Sequence, residues 1–120
     1  MRDACRTIVD EVASGRVHGH LSVEAVQEFV HHRVRRADPQ AVPAARAISR
    51  WSILHPCDEA TLDRALDLVA AGSFRGRDAV HAASALEAGF VEICSADTDF
   101  DDVPGLARLD PARWVEDHAG

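Results

Sequence analysis

The segment RDAVHAASALEAGFVEICSADTDFDDVPGL, residues 77–106, decides the fold that this chain is expected to adopt. Its first part has the composition of a helix that ends at Gly89, because glycine tolerates the left-handed backbone that closes many helices. The apolar run at residues 90–94 predicts a short strand that is buried on both faces. An acidic loop follows, with four aspartates within six residues. This order of elements is typical of an α/β protein with a parallel sheet.

Three aspartates in this segment are candidate metal ligands. Asp78 stands where the helix begins, and Asp97 and Asp99 stand just past the strand, where the sites of open α/β sheets are found. Hard divalent cations prefer carboxylate oxygens, and phosphoryl chemistry uses such cations. A simpler interpretation also stays open, in which Asp78 is an ordinary first-turn acid and the other two belong to a solvated turn. Phe100 favours a loop that is held against the body of the protein, since a large apolar side chain prefers burial.

The rest of the chain alternates helices with short strands and predicts one domain of 120 residues. Ser22 is a good N-cap for a helix that runs to about Arg36, and Asp38-Pro39 ends that helix. Apolar periodicity predicts the other elements: helices over residues 2–14, over residues 40–54 and from Asp58 or Thr61 onward, short strands before Ser22 and at residues 107–109, and a polar tail over residues 111–120.

The formal net charge of −7 is unevenly distributed. Residues 1–50 hold eight arginines and six acidic residues, a net charge of +2, whereas residues 51–120 hold five arginines and fourteen acidic residues, a net charge of −9. An acidic half repels nucleic acid broadly, yet a metal held there attracts a phosphate locally. The three cysteines lack the spacing of a zinc site or a disulfide framework. Without a signal-peptide pattern or an apolar run of membrane-spanning length, the chain is expected to be cytoplasmic, with no membrane partner.

Four motifs, in this order, are similar to those of PIN-domain ribonucleases, above all the VapC-type toxins of bacterial toxin–antitoxin pairs. They are SVEAVQEF at residues 22–29, RDAVHAA at 77–83, SADTDF at 95–100 and PGL at 104–106. The resemblance implies a PIN-like three-layer α/β/α fold with a parallel sheet, and a Mg²⁺- or Mn²⁺-dependent endoribonuclease. It also implies that Glu28, Asp78, Asp97 and Asp99 are both the metal ligands and the catalytic residues. Asp101 and Asp102 are expected to be solvated.

Glu28 is assigned through the resemblance, because its position on the helix does not separate it from Glu24. Glu28 lies at one border of the apolar stripe, where a plain surface acid is equally compatible with the pattern. The helix acid of the family stands just before a large apolar residue, as Glu28 stands before Phe29. His81, one turn beyond Asp78, is expected to be structural. The basic residues at 31–36 are expected to form a solvated helix end, with a phosphate track as the alternative.

The resemblance further implies that one strand is missing. PIN-domain proteins open with an apolar strand that ends in a metal-binding Asp, whereas residues 1–5 of this chain already look like the first helix. Asp3 follows no apolar run and does not replace that ligand. The absent strand would be the central one, between the strands near residues 17–21 and 91–94. The expectation is either a misassigned start, with about fifteen to twenty residues encoded upstream, or a truncated and inactive protein.

The implied partners are an RNA substrate, cut at a single-stranded loop, and a small antitoxin whose segment fills the acidic groove. Homodimerisation through the first two helices is also expected. Two other functions stay open at this point. One is a catalytically degenerate PIN-like module that binds an antitoxin or itself without cleaving RNA. The other is a metal-dependent hydrolase of a small phosphoester.

Overall fold

The described part of the protein consists of six α-helices interleaved with four short strands. A computed structural model describes residues 2–72 and 76–118. In chain order the elements are α1 (Arg2–Ala13), β1 (Gly19–Ser22), α2 (Val23–Arg35), α3 (Ala41–Trp51), β2 (Ser52–His55), α4 (Glu59–Ala70), α5 (Gly76–Glu87), β3 (Glu92–Cys94), a 3₁₀ turn (Thr98–Asp102), β4 (Ala107–Leu109) and α6 (Pro111–His118). The expected α/β class is confirmed. Within those residues, no helix combines the length and the apolarity that crossing a membrane requires.

Local capping signals set three helix boundaries where the sequence places them. The Ser22 hydroxyl accepts a hydrogen bond from the Ala25 N–H at 3.0 Å and starts α2. The Asp58 carboxylate accepts the Thr61 N–H at 3.0 Å and starts α4. After α5, Gly89 has a φ of 87°, the left-handed conformation that glycine adopts without strain. The predicted start of α2 and the predicted end of α5 at Gly89 are therefore confirmed, and of the two predicted starts of α4 the structure has Asp58.

The four described strands form two separate parallel pairs rather than one continuous sheet. β1 pairs with β2 in a register that places Gly19 opposite Ser52, and β3 pairs with β4 in a register that places Glu92 opposite Ala107. The parallel pairing is confirmed. β1 and β3 therefore each have one strand neighbour within the described residues. A central strand between them stays a prediction.

β2 corrects the prediction of a helix over residues 40–54. The helix α3 ends at Trp51, and Ser52 already has an extended backbone, with φ −117° and ψ 160°. The four residues of β2 lie beside the four residues of β1 along their whole length. This pairing offers ladder hydrogen bonds, whereas the last turn of a helix leaves its carbonyls without partners. The neighbouring strand therefore decides the conformation, and apolar periodicity does not reveal it.

The core is built around α5. Ala79, Ala82 and Ala83 are each 0% exposed. Their small side chains allow α4 to lie close to α5, with Ala65 and Leu68 in contact. From the other side, Phe100, Val103 and Leu106 of the acidic loop and its exit pack on Ala82. The same helix therefore carries Asp78 and anchors the loop that carries Asp97 and Asp99.

β3 is not buried on both faces, so that prediction is wrong. Glu92 and Cys94 are exposed, and Val91 just before the strand is 66% exposed. Ile93 is partly buried and packs against the core cluster of Ala82 and Phe100. One face of β3 therefore meets the core, and no second layer covers the other face within the described residues.

The polar tail expected at residues 111–120 forms a helix over its described part. Pro111 occupies the first helical position of α6, and the Asp110 carboxylate accepts the Arg113 N–H at 3.2 Å. The Trp114 ring stacks on His118 with a centroid separation of 4.2 Å, and α6 packs against α1. Residues 119 and 120 lie outside the described residues. The Asp110-Pro111 pair is a helix start signal that the sequence interpretation did not use.

Candidate metal centre

Asp78, Asp97 and Asp99 come together in space. Each offers a carboxylate oxygen, and these oxygens lie within 4.8 Å of one another. Asp78 projects from the first turn of α5 and is partly buried, whereas Asp97 and Asp99 are exposed. Asp78 on the helix and Asp97 in the loop are 19 residues apart in sequence, so the packing of the loop on α5 brings them together. The structure thus joins three of the four predicted site residues.

Short-range hydrogen bonds shape the loop that carries two of these aspartates. The Ser95 hydroxyl accepts the Asp97 N–H at 3.0 Å, and the Asp97 carboxylate accepts the Asp99 N–H at 2.9 Å. Phe100 is 5% exposed and packs on α5 through Ala82. The loop is therefore anchored to the body of the protein, and a freely solvated turn does not describe it.

Arg108 on β4 braces the same loop. Its Nε donates to the Asp101 carboxylate at 2.8 Å, and one of its terminal nitrogens donates to the Ser95 carbonyl at 3.0 Å. Asp101 was expected to be solvated, but it is half exposed and paired with this guanidinium. Arg108 therefore offsets the negative charge of Asp101, which is not one of the three clustered aspartates. Sequence reasoning missed this residue, because the 3₁₀ turn and the pairing of β3 with β4 bring Arg108 to its partners only in the folded chain.

The electrostatics of the cluster favour a bound cation. Burial is the largest cause that raises the pKa of Asp78 above its usual value, followed by the negative charge of Asp97, while His81 opposes the shift. A cation among these carboxylates would relieve the repulsion. The donor set consists of carboxylate oxygens alone. Such a set fits Mg²⁺ or Mn²⁺ better than metals that prefer thiolate or imidazole ligands.

Glu28 lies near this cluster but does not belong to the group of three. Its Oε2 accepts a hydrogen bond from Nε2 of His81 at 2.9 Å, and His81 is three residues beyond Asp78 on α5. The negative charge of Glu28 contributes to the raised pKa of Asp78, as the smallest of the causes. The helix α2 therefore presents Glu28 to α5 at the border of the centre. His81 was expected to be merely structural, although its spacing from Asp78 places both on one helix face.

The basic end of α2 is partly used within the fold. The Arg33 guanidinium lies over the Phe29 ring at 4.7 Å and donates to the Asp38 carboxylate at 3.2 Å. His31, His32, Arg35 and Arg36 are exposed. The interpretation as a solvated helix end accounts for these contacts without a ligand.

The fold and the acidic centre together define a PIN-domain protein. The model of the PIN domain matches residues 2–106, which is most of the chain. The chain belongs to the PIN-domain family.

One relative is named as a VapC protein, the type that the motifs predict: Ribonuclease VapC7 of Mycobacterium tuberculosis (strain ATCC 25618 / H37Rv). It is 35% identical to this chain over 118 residues, an alignment that covers 92% of the chain and 79% of the relative. The resemblance to a VapC-type PIN-domain protein, predicted from the motifs, is confirmed. No solved structure gives a match.

Proposed function

We propose that this protein is a Mg²⁺- or Mn²⁺-dependent endoribonuclease and the toxin of a toxin–antitoxin pair. The observation that carries the proposal is the convergence of Asp78, Asp97 and Asp99 in a chain of the PIN-domain family. The identity of 35% with Ribonuclease VapC7 supports RNA as the substrate class. The products expected from the resemblance are a 5′-phosphate and a 3′-hydroxyl.

In the proposed reaction, Asp78, Asp97 and Asp99 bind one or two cations through their carboxylate oxygens. When bound, such a cation makes water more acidic and offsets the negative charge that develops on the phosphate oxygens. Glu28 is the fourth predicted ligand and lies at the border of the cluster. Its Oε2 bonds His81, and its other carboxylate oxygen takes no part in that bond. The anchored loop contributes by holding Asp97 and Asp99 in place before substrate arrives, which reduces the reorganisation needed during the reaction.

The acidic centre also bears on the partners. Three clustered carboxylates repel RNA in the absence of a cation and attract a guanidinium group by the same charge. We therefore propose that the cognate antitoxin places an arginine-bearing segment at Asp78, Asp97 and Asp99. Homodimerisation through the first two helices remains part of the proposal, supported by the exposed Val9 on α1 and Val34 on α2. Size-exclusion chromatography with light scattering, with and without the antitoxin, tests both associations.

RNA cleavage with matched variants tests the proposed function. Asp78→Asn and Asp97→Asn are expected to reduce the cleavage rate by orders of magnitude, since each removes a ligand from the centre. Asp102→Asn, which changes an exposed acid in the same loop, is expected to retain the rate. Cleavage at full rate in excess chelator would overturn the metal dependence. Binding of antitoxin without any cleavage would support the catalytically degenerate module. Hydrolysis of small phosphoesters without RNA cleavage would support a metal-dependent phosphoester hydrolase.

A further inference from the structure

A continuous chain of hydrogen bonds connects the start of α2 to Glu28 through a histidine on α5. The Ala25 N–H donates to the Ser22 hydroxyl at 3.0 Å, and the Ser22 oxygen lies 3.4 Å from Nδ1 of His81. On the other side of the ring, Nε2 of His81 lies 2.9 Å from Oε2 of Glu28. The imidazole therefore bridges the N-cap of α2 and a residue of α2 that is six positions further along the chain.

For a neutral imidazole ring, the chemistry of these partners assigns each proton along this series of hydrogen bonds. An ionised carboxylate only accepts hydrogen bonds, so Nε2 of His81 carries the proton that Glu28 accepts. In the neutral ring Nδ1 is then the acceptor, and the Ser22 hydroxyl donates to it. The same hydroxyl oxygen still accepts the Ala25 N–H as the N-cap of α2. One tautomer thus satisfies all the groups of the chain.

Glu28 needs such a partner in order to keep one orientation. Its side chain is 48% exposed at the surface of α2, where a long carboxylate side chain samples several rotamers. The side chain of His81 is 18% exposed and projects from α5, the helix that carries the core residues Ala82 and Ala83. The rigid member of the pair is therefore His81. Because Asp78 and His81 lie on one face of α5, a Glu28 held by His81 is also held beside Asp78.

We propose that His81 is a positioning residue, which holds Glu28 beside the aspartate cluster through its Nε2–H. The kinetic part of this inference rests on the proposed function, whereas the structural part does not. Groups that orient the ligands of a metal site commonly contribute a factor of about 10 to 100 in activity or metal affinity. An effect of that size on kcat, with little change in the KM for RNA, is expected from His81.

Two substitutions separate the two hydrogen bonds of the ring. The amide nitrogen of His81→Gln occupies the place of Nε2 and still donates to Glu28, whereas His81→Asn reaches only the place of Nδ1 and retains the contact with Ser22. His81→Gln is expected to keep kcat within a few-fold of wild type, and His81→Asn to lower kcat about 10- to 100-fold. In a Glu28→Ala background, His81→Asn is expected to have no further effect, because the two residues act through one interaction.

A spectroscopic measurement tests the same inference without any cleavage assay. Long-range ¹H–¹⁵N correlation spectra of the full chain at alkaline pH are expected to show His81 as the Nε2–H tautomer. That preference is expected to weaken in the Glu28→Ala variant. An inactive protein with this tautomer would contradict the proposed function and leave the positioning role intact.

Three results would overturn the inference itself. One is an Nδ1–H tautomer of His81 in the wild-type protein. Another is equal kcat for His81→Gln and His81→Asn. The last is a full effect of His81→Asn in the Glu28→Ala background, which would indicate that His81 acts on the substrate directly. Circular dichroism and thermal unfolding of each variant identify any loss of fold that would mimic a kinetic effect.

Discussion

Asp78 combines two opposing properties in one side chain. It is partly buried next to other carboxylates, which disfavours its charge, yet a metal ligand must be ionised. The raised pKa of Asp78 means that folding works against its charged form at neutral pH. Under the proposed function, this cost falls on a side chain whose charge a bound metal would need.

The Asp78→Asn variant is therefore expected to unfold at a higher temperature than the wild type in the absence of divalent metal, because it removes the disfavoured charge. Mn²⁺ is expected to stabilise the wild type and to stabilise Asp78→Asn much less, since the ligand is lost. Thermal unfolding followed by circular dichroism, with and without Mn²⁺, measures both effects. Asp102→Asn serves as the control, and an equal Mn²⁺ shift in all three proteins would contradict the predicted ligand role.

At the scale of elements, α5 carries both buried alanines of the core and polar residues of the candidate site. Its residues Ala79, Ala82 and Ala83 are each 0% exposed. Its polar residues Asp78 and His81 face the site. The helix that supports the core is therefore also the helix that carries Asp78 and His81.

Enlarging an α5 alanine is expected to destabilise the protein. The Ala83→Leu substitution inserts three carbon atoms where α4 and α5 meet, and overpacking of this kind costs about 1 to 3 kcal/mol of unfolding free energy. Ala60→Leu places the same side chain at an exposed position of α4 and is expected to change the stability little. Urea unfolding of both variants checks the contrast. Equal midpoints would show that the α4–α5 contact tolerates the added volume.

The cap of α4 predicts a pH-dependent effect. Hydrogen bonds from the backbone and side chain of Thr61 lower the pKa of Asp58 below its ordinary value of 3.8. The stabilisation by the Asp58 carboxylate is therefore complete above that ordinary value and is lost as the pH falls through the lower folded-state pKa. Asp58→Ala is expected to lower the thermal midpoint at neutral pH, and Asp58→Asn, which keeps an acceptor, to lower it less. The deficit of Asp58→Ala is expected to shrink in strong acid, and a constant deficit would contradict the cap.

At the scale of the whole molecule, aromatic rings join the two parallel pairs of strands. Nδ1 of His20 on β1 lies 2.9 Å from Nε2 of His55 on β2, and the two rings are stacked with centroids 5.2 Å apart. The Phe90 ring, just before β3, meets the edge of both, at 4.7 Å from His20 and 5.9 Å from His55. A cluster of three rings therefore connects the two halves of the described sheet structure.

Acidification is expected to weaken this connection. Burial is the main cause that lowers the pKa of His20 below its ordinary value of 6.5, with His55 and His18 adding to the shift. The stabilisation from neutral His20 is thus complete above pH 6.5 and is lost as the pH falls through the lower folded-state pKa. The fall in unfolding free energy with pH is expected to be shallower in His20→Gln than in the wild type. His31→Gln, at an exposed position of α2, is the control, and identical pH slopes would contradict the role of His20.

Much of the architecture, and the choice of Asp78, Asp97 and Asp99 as candidate ligands, follow from the sequence because local signals carry them. Ser22 and Asp58 cap their helices through bonds to residues three positions ahead, so their effect does not depend on distant packing. Asp97 and Asp99 follow a strand and precede Phe100, whose burial the pattern already favours. The motifs that resemble PIN-domain proteins are likewise short and contiguous. These features are local in the chain, which is why the sequence alone determines them.

Only the tertiary structure decides the features whose partners are far apart in the chain. Ser52–His55 become a strand because β1 lies alongside, and Arg108 on β4 bonds the Ser95 carbonyl of the acidic loop, 13 positions away. The hydrogen bond between Glu28 and His81 joins residues 53 positions apart, and helical periodicity does not predict contacts over that separation. Hydrogen bonds and burial of this kind exist only after the helices have packed. Packing therefore determines how the carboxylates of this PIN-domain protein are held, while the sequence determines which carboxylates are present.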